Sequence, residues 1–245
     1  FGTTGPDIAF EIMVDGKDDV YVAGSHQKDL IVGGETLLTH GSTDVFVVSY
    51  DMNGNQLWAK NWGGPFGETP RSLYVNSKGD VFVTGSFQGL IQADGLEVES
   101  KIEYALTEIF VLAIDGQTHD AMWLKCFGGN GHDTRTAIVA DPDRNVVVAL
   151  SFQHELIVDE GIVFTGAGLN FNVGLVRLDK EGEVMWANEF GGTGAEEFIG
   201  LGLDDKSNAY VTGVFSETAG FGGADLVSAG GHDIVLASYD ANGMH

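Results

Sequence analysis

With 36 acidic against 12 basic side chains in 245 residues, the chain carries a formal charge of −24, which excludes the Lys/Arg-rich surface that nucleic acid or an anionic membrane demands. A hydrophobic content of 43% with 10% aromatics separates it from a disordered acidic tail, and its single cysteine, Cys126, rules out an intrachain disulfide framework. No run of about 18 apolar residues offers a membrane span, and 36 Gly beside only 4 Pro suit short strands joined by tight turns.

In chain order, apolar alternation predicts a first strand over 8–14, ended by Asp15, and a second beginning Val20-Tyr21-Val22-Ala23-Gly24. A connector (27–43) leads to a third strand over 45–50, closed by Asp51. The turn Asp51-Met52-Asn53-Gly54-Asn55 then feeds a fourth strand around Leu57-Trp58-Ala59, which runs into Trp62-Gly63-Gly64. Asp opening such a turn bonds back to nearby amides, and Gly near its end accepts positive φ.

The same order returns three more times. Second-copy strands fall at 69–75, from Val81, at 109–114 closed by Asp115, and at Met122-Trp123-Leu124, ending in Phe127-Gly128-Gly129. Third-copy strands fall at 134–140, 146–150, 173–178 closed by Asp179, and Met185-Trp186-Ala187, ending in Phe190-Gly191-Gly192. Fourth-copy strands fall at 197–203, from Ala209, and at 234–239 closed by Asp240. Repeats are therefore drawn at 1–64, 65–129, 130–192 and 193–245, the last lacking its outer strand, within a single domain over 1–245. Each complete repeat is a four-stranded antiparallel meander of about 61–65 residues. Such a sheet hides both faces only by stacking on neighbours, so the predicted fold class is all-β, a β-propeller of four blades, with closure into a ring and membership of a larger array both open.

The combination of Gly128-Gly129-Asn130-Gly131-His132-Asp133, the second-strand pattern ending in Gly24 or Gly85, and the third-strand pattern over 233–243 resembles the bacterial SBBP β-propeller repeat across essentially the whole chain. Leu150 in place of the strand-ending Gly and Gly174 within the third strand are departures. That resemblance implies a secreted or surface-attached bacterial repeat protein and no shared chemistry. With no starting Met, the sequence reads as part of a longer precursor. Phe1 aligns with the end of a fourth strand, and the uncovered edge at 234–239 is expected to be covered from outside.

Propeller geometry sends the two short turns of each repeat to one face and the long connectors (27–43, 88–107, 153–171, 216–232) to the other. The short-turn face collects acids, read as solvated turn residues, with Asp51, Asn53 and Asn55 as weak calcium candidates because their spacing matches the start of a calcium loop. No other cofactor is expected. The distal bidentate Glu of such a loop is missing. The connectors vary between copies and are read as extra hairpins carrying the ligand or partner surface, with Asp29, His40, Glu103, Tyr104, His154, Glu155, Asn170 and Phe221 as candidates. Trp58, Trp123 and Trp186, with Asp51, Asp115, Asp179 and Asp240, are read as structural repeat positions, the Trp residues packing between blades. Recurring acids (Asp7, Glu68, Asp133, Glu196; Asp44, Glu108, Asp233, with Asn172 the exception) are read as acceptors for turn amides.

No metal-ligating His spacing, nucleophile elbow or phosphate loop occurs. The expectation is a non-catalytic extracellular or cell-surface module for adhesion, assembly or scaffolding that polymerises through its open ends, its partners being further copies, a surface protein or a glycan, with no nucleic acid and no membrane insertion. The alternatives are a lectin-like propeller and, behind it, a polysaccharide hydrolase or lyase using carboxylates in the central channel.

Overall fold

A computed structural model describes residues 2–101, 107–131, 133, 135–166 and 170–245. Blade 1 comprises β1 (Asp7–Val14), β2 (Val20–His26), the connector hairpin β3 (Leu30–Val32) and β4 (Glu35–Leu37), then β5 (Asp44–Tyr50) and β6 (Gln56–Trp62). Blade 2 comprises β7 (Thr69–Val75), β8 (Val81–Phe87), the hairpin β9 (Leu90–Ala93) and β10 (Leu96–Glu99), β11 (Glu108–Ile114) and β12 (Ala121–Gly129). Blade 3 comprises β13 (Arg135–Ala140), β14 (Val146–Phe152), the hairpin β15 (Glu155–Asp159) and β16 (Ile162–Thr165), β17 (Asn172–Leu178) and β18 (Val184–Gly192). Blade 4 comprises β19 (Glu196–Leu203), β20 (Ala209–Phe215), the hairpin β21 (Thr218–Gly220) and β22 (Leu226–Val227), and β23 (Asp233–Tyr239).

Every blade is an antiparallel meander, as in β1-β2-β5-β6, and blade 4 stops at β19-β20-β23. All eight short turns close the same way. The side chain at the first position (Asp15, Asp51, Asn76, Asp115, Asp141, Asp179, Asp204 or Asp240) accepts hydrogen bonds from amides two and three or four residues on. That local bonding explains why an Asp or Asn punctuates each strand pair.

Consecutive blades bury apolar faces against each other in three separate clusters. One joins Tyr21, Val45 and Val47 to Leu73, Val83 and Phe110. The next joins Phe82, Ile109 and Val111 to Ile138, Val146 and Val148, and the third joins Val147, Val173 and Leu175 to Phe198, Val211 and Val235. Blade 3's hairpin does not extend its own sheet. It pairs with the end of blade 2's outer strand, Gly129 opposite Leu156, and blade 4's hairpin does the same to blade 3, Gly192 opposite Ala219. Blade 2's hairpin reaches blade 1 through a bridge from Gln92 to Gly63. The sheets do not close into a ring: apolar residues on the outward faces of blades 1 and 4 stay exposed.

Candidate interaction surfaces

The aromatic-Gly-Gly sequence is the hinge of each junction. Its aromatic residue, Trp62, Phe127 or Phe190, is buried. An ideal Cβ on the second glycine would lie 1.7 Å from the Leu90 carbonyl oxygen at Gly64, 1.7 Å from that of Glu155 at Gly129 and 1.8 Å from that of Thr218 at Gly192. Only glycine lets the next blade's hairpin approach so closely. The first glycine makes room for acids instead. A Cβ on Gly63 would lie 2.2 Å from Asp44 Oδ1 and 2.8 Å from Glu68 Oε2, so both carboxyl groups crowd one point.

Six of the seven recurring acids accept amides. Glu68 Oε2 accepts Gly64 N–H and Glu196 Oε2 accepts Gly192 N–H, each at 3.1 Å. Asp7 accepts from Thr3, Asp44 from His40, Glu108 from Lys101 at 2.9 Å, and Asp233 from Ala229. The remaining oxygens Asp44 Oδ1, Glu68 Oε1 and Glu196 Oε1 are buried without a donor among the described residues. Burial pushes Glu68 up to about 8, with the Asp44 charge adding to the shift. Asp133 rises to about 8 through burial and then the charge of Glu108, and burial raises Glu196 to about 7. In the third junction Asn172 replaces the first acid, and its Nδ2 would lie 2.0 Å from a Cβ on Gly191. An amide there occupies the place that Asp44 and Glu108 hold in the other two junctions.

The Trp residues complete the junctions. Trp58 stacks on His119 of blade 2, centroids 4.8 Å apart. Trp123 Nε1 donates to Lys180 O and Trp186 Nε1 to Ala241 O, each at 3.0 Å. Their rings lie against Gly182 and Gly243, where a Cβ would come within 2.8 Å of the indole. Each of the three meets the next blade's short turn.

On the short-turn face, Asp51 Oδ1 accepts the amides of Asn53 and Asn55 at 2.8 Å, and Oδ2 accepts Asn55 Nδ2 at 2.8 Å. These bonds, the Asn55 amide group first, hold the Asp51 carboxyl below its ordinary range. A calcium ion would have to displace them, and among the described residues no group of three or more His, Cys, Asp or Glu is arranged to hold a metal. Asp115, Asp179 and Asp240 occupy the same role in their turns. The face is also cross-braced. Arg144 makes a two-pronged pair with Asp80, both contacts 2.7 Å, and reaches Asp115 at 3.2 Å. Arg177, buried, holds Asp141 at 2.7 Å and the Ser207 carbonyl at 2.8 Å.

The connector residues do not form one site. Asp29 accepts Thr39 N–H at 2.9 Å and ties the ends of the first hairpin. His40 sits over Asp44 at 3.3 Å and borders a cavity of about 310 Å³ beside Trp62, Gln92 and Asp94. His154 adopts φ 58° at the entry to the β15–β16 hairpin, and Glu155 and Asn170 are exposed. Glu103 and Tyr104 lie outside the described residues. Phe221, expected on the surface, is buried: its ring stacks on Phe190 and meets Phe215 edge-on, and its carbonyl accepts the Tyr239 hydroxyl at 2.6 Å. Phe221 fills the space beside the aromatic of the preceding blade's Phe-Gly-Gly, so it belongs to the core.

Two features were missed from sequence. Asp94, in the β9–β10 turn, accepts Trp62 Nε1 at 3.1 Å, Ala121 N–H at 2.9 Å and Lys60 Nζ at 3.3 Å, pinning blade 1's outer strand to blade 2. The Asp94-Gly95 dipeptide between two apolar stretches was the available signal. Inner strands of all four blades line a central groove of about 520 Å³, with Arg71 and Arg135 beside Glu11 and Phe198. Arg71 lies 5.7 Å from the Phe10 ring centroid and Arg135 pairs with Glu197.

No family model matches the chain. It is 21% identical over 234 residues to an uncharacterised WD repeat-containing protein of Acanthamoeba polyphaga mimivirus, an alignment covering 80% of this chain and 17% of that relative. WD repeats build propeller blades, in agreement with the all-β, blade-by-blade architecture.

Proposed function

We propose that the chain is a non-catalytic protein-interaction module of the SBBP type, secreted or attached to a cell surface, serving adhesion or scaffolding and assembling through its end faces. The observation carrying this reading is where the repeated residues go. Trp58, Trp123, Trp186, the Gly-Gly pairs and the junction acids are all used in holding blade to blade, while the connector hairpins, which differ between copies, pack one side on the neighbouring blade and leave the other exposed. Described hairpins carry exposed apolar side chains at Ile31, Val163 and Val227, and apolar residues on a rigid rim mark contact surfaces. The WD repeat relative, itself uncharacterised, supports an interaction role in general terms. The chemistry of the groove supports it further: Glu11 is the carboxylate among its described lining residues, and the close pair Asp44/Glu68 is buried beyond the reach of a polysaccharide.

The test compares the chain with a triple variant, Ile31→Ser, Val163→Ser and Val227→Ser, as baits for the surface proteins of the producing organism. A partner retained by the first and lost by the second is expected. Equal capture by both, or hits confined to a glycan array, would replace this reading with another.

A further inference from the structure

The chain has four arginines. Two of them, Arg144 and Arg177, brace the short-turn face. The other two, Arg71 and Arg135, both line the central groove. In a protein of formal charge −24 this placement gathers cations at one point of an otherwise acidic surface. Backbone geometry aims the groove side chains. Three of the four inner strands carry a β-bulge at the same step: the register shifts between Ala9 and Glu11, between Pro70 and Ser72, and between Phe198 and Gly200, so that Phe10, Arg71 and Ile199 are the extra residues. A bulge re-aims its side chain out of the ladder. The glycine opposite makes room for it, since a Cβ on Gly85 would lie 2.1 Å from the Thr69 carbonyl oxygen. Blade 3 has Leu150 in place of that glycine, and there β13 pairs without interruption, Thr136 opposite Leu150. The departure of Leu150 from the repeat therefore sets a threonine hydroxyl where the other blades set a bulged side chain.

Two polar groups of the groove are unused. Arg135 pairs with Glu197, but no carboxylate pairs with Arg71 among the described residues. Arg71 lies over the Phe10 ring, a contact that occupies the flat of the guanidinium and leaves its N–H edge open. Thr136 is 7% exposed, and its Oγ1 is buried with no hydrogen-bond partner among the described residues. Ile199, 65% exposed, supplies an aliphatic wall, and Glu11 an acceptor. We propose that the central groove binds an acidic segment of a partner protein, one Asp or Glu side chain of which lies on the N–H edge of Arg71, while the Thr136 hydroxyl and Glu11 hydrogen-bond the segment beside it. One unpaired guanidinium matches one carboxylate in a two-pronged pair, whereas a phosphate dianion would bring a second charge toward Glu11 and Glu197. An acidic sugar fits the walls less well, because Phe198, the aromatic among the described lining residues, is buried and offers no stacking face. The groove shares no residue with the connector rim, so failure of the rim variants and failure of the groove variants are distinguishable.

Calorimetric titration of the whole chain at low salt tests the proposal, with blocked pentapeptides carrying a central glutamate flanked by Leu, Ser or Gly, and with their glutamine counterparts. At least one glutamate peptide is expected to bind with Kd of about 1 mM or tighter, and its glutamine counterpart about tenfold more weakly, the scale of one charge-assisted pair. Arg71→Gln is expected to weaken the glutamate peptide by about tenfold, and Arg71→Lys, which keeps the charge without the fork, by less. Arg71 is exposed, so the fold is kept, which circular dichroism checks. Thr136→Val separates binding from folding. It removes a buried hydroxyl that has no partner in the fold, so the melting temperature is expected to hold or rise while peptide affinity falls about threefold. No binding of any glutamate peptide at about 10 mM, equal binding of the glutamine peptides, or full affinity in Arg71→Gln would overturn the proposal. So would binding of acetate, inorganic phosphate or an oligogalacturonate as tight as that of the peptide, which would make the groove a site for a small anion or an acidic sugar.

Discussion

A carboxyl group removed from water must gain donors or keep its proton, and at the junctions Glu68 and Asp133 have been given too few donors to stay ionised. Their folded values of about 8 lie above their ordinary values of 4.5 and 3.8, so between those limits the folded chain binds more protons than the unfolded one. Stability from these groups is therefore complete at or below about pH 4 and declines as pH rises to about 8. The turn acids act in the opposite direction. Asp51, Asp115, Asp204 and Asp240 are held below their ordinary range by backbone and side-chain amides, so their contribution is lost as pH falls below about 4. Maximum stability is expected near pH 4–5. Glu68→Gln and Asp133→Asn place a permanent amide where a protonated acid stands, and are expected to flatten the decline between pH 5 and 8 in thermal melts; melts as pH-dependent as those of the unmodified chain would show that these acids are ionised. Asn172 stood out in the sequence as the one non-acid in its series. Its meaning was hidden, because the approach of residue 172 to residue 196 is a product of blade stacking.

At the scale of the element, strand positions were legible because alternation and an opening Asp or Asn bracket every strand, and the structure extends most of the predicted strands by one or more residues. The connector hairpins were legible as hairpins. Their attachment was not, since β15 leaves its own blade to pair with β12, and only the glycines at 129 and 192 hinted at a close backbone neighbour. Gly129→Ala tests that attachment. Its methyl group would overlap the Glu155 carbonyl oxygen, forcing the hairpin away, opening the contact of Leu156 with the core and costing about 2–4 kcal/mol in chemical denaturation. Gly54→Ala is the control: its φ is positive, 82°, but nothing lies within 4 Å, so only backbone strain of about 1 kcal/mol is expected. A loss at Gly129 no larger than that at Gly54 would show that the hairpin yields to the added methyl group.

For the whole molecule, a stack of repeats has stability distributed as a sum of blade and junction contributions. Blades 2 and 3 each take part in two junctions, blades 1 and 4 in one, and blade 4 also presents β23 as an open edge. The cross-braces follow the same bias: Arg144 of blade 3 is tied to Asp80 and Asp115 of blade 2, and Arg177 of blade 3 to Ser207 of blade 4, while blade 1 has no arginine of this kind among the described residues. Sequence could not show these links, since Arg144 and Asp80 are 64 positions apart. Amide hydrogen exchange is expected to be slowest in β8, β11, β14 and β17, faster in β2 and β5, and fastest in β1 and β23. Uniform protection across all four blades at low concentration would instead mean that the chain opens as one cooperative unit, and that the exposed faces of Ile12 and Leu236 cost it little local stability.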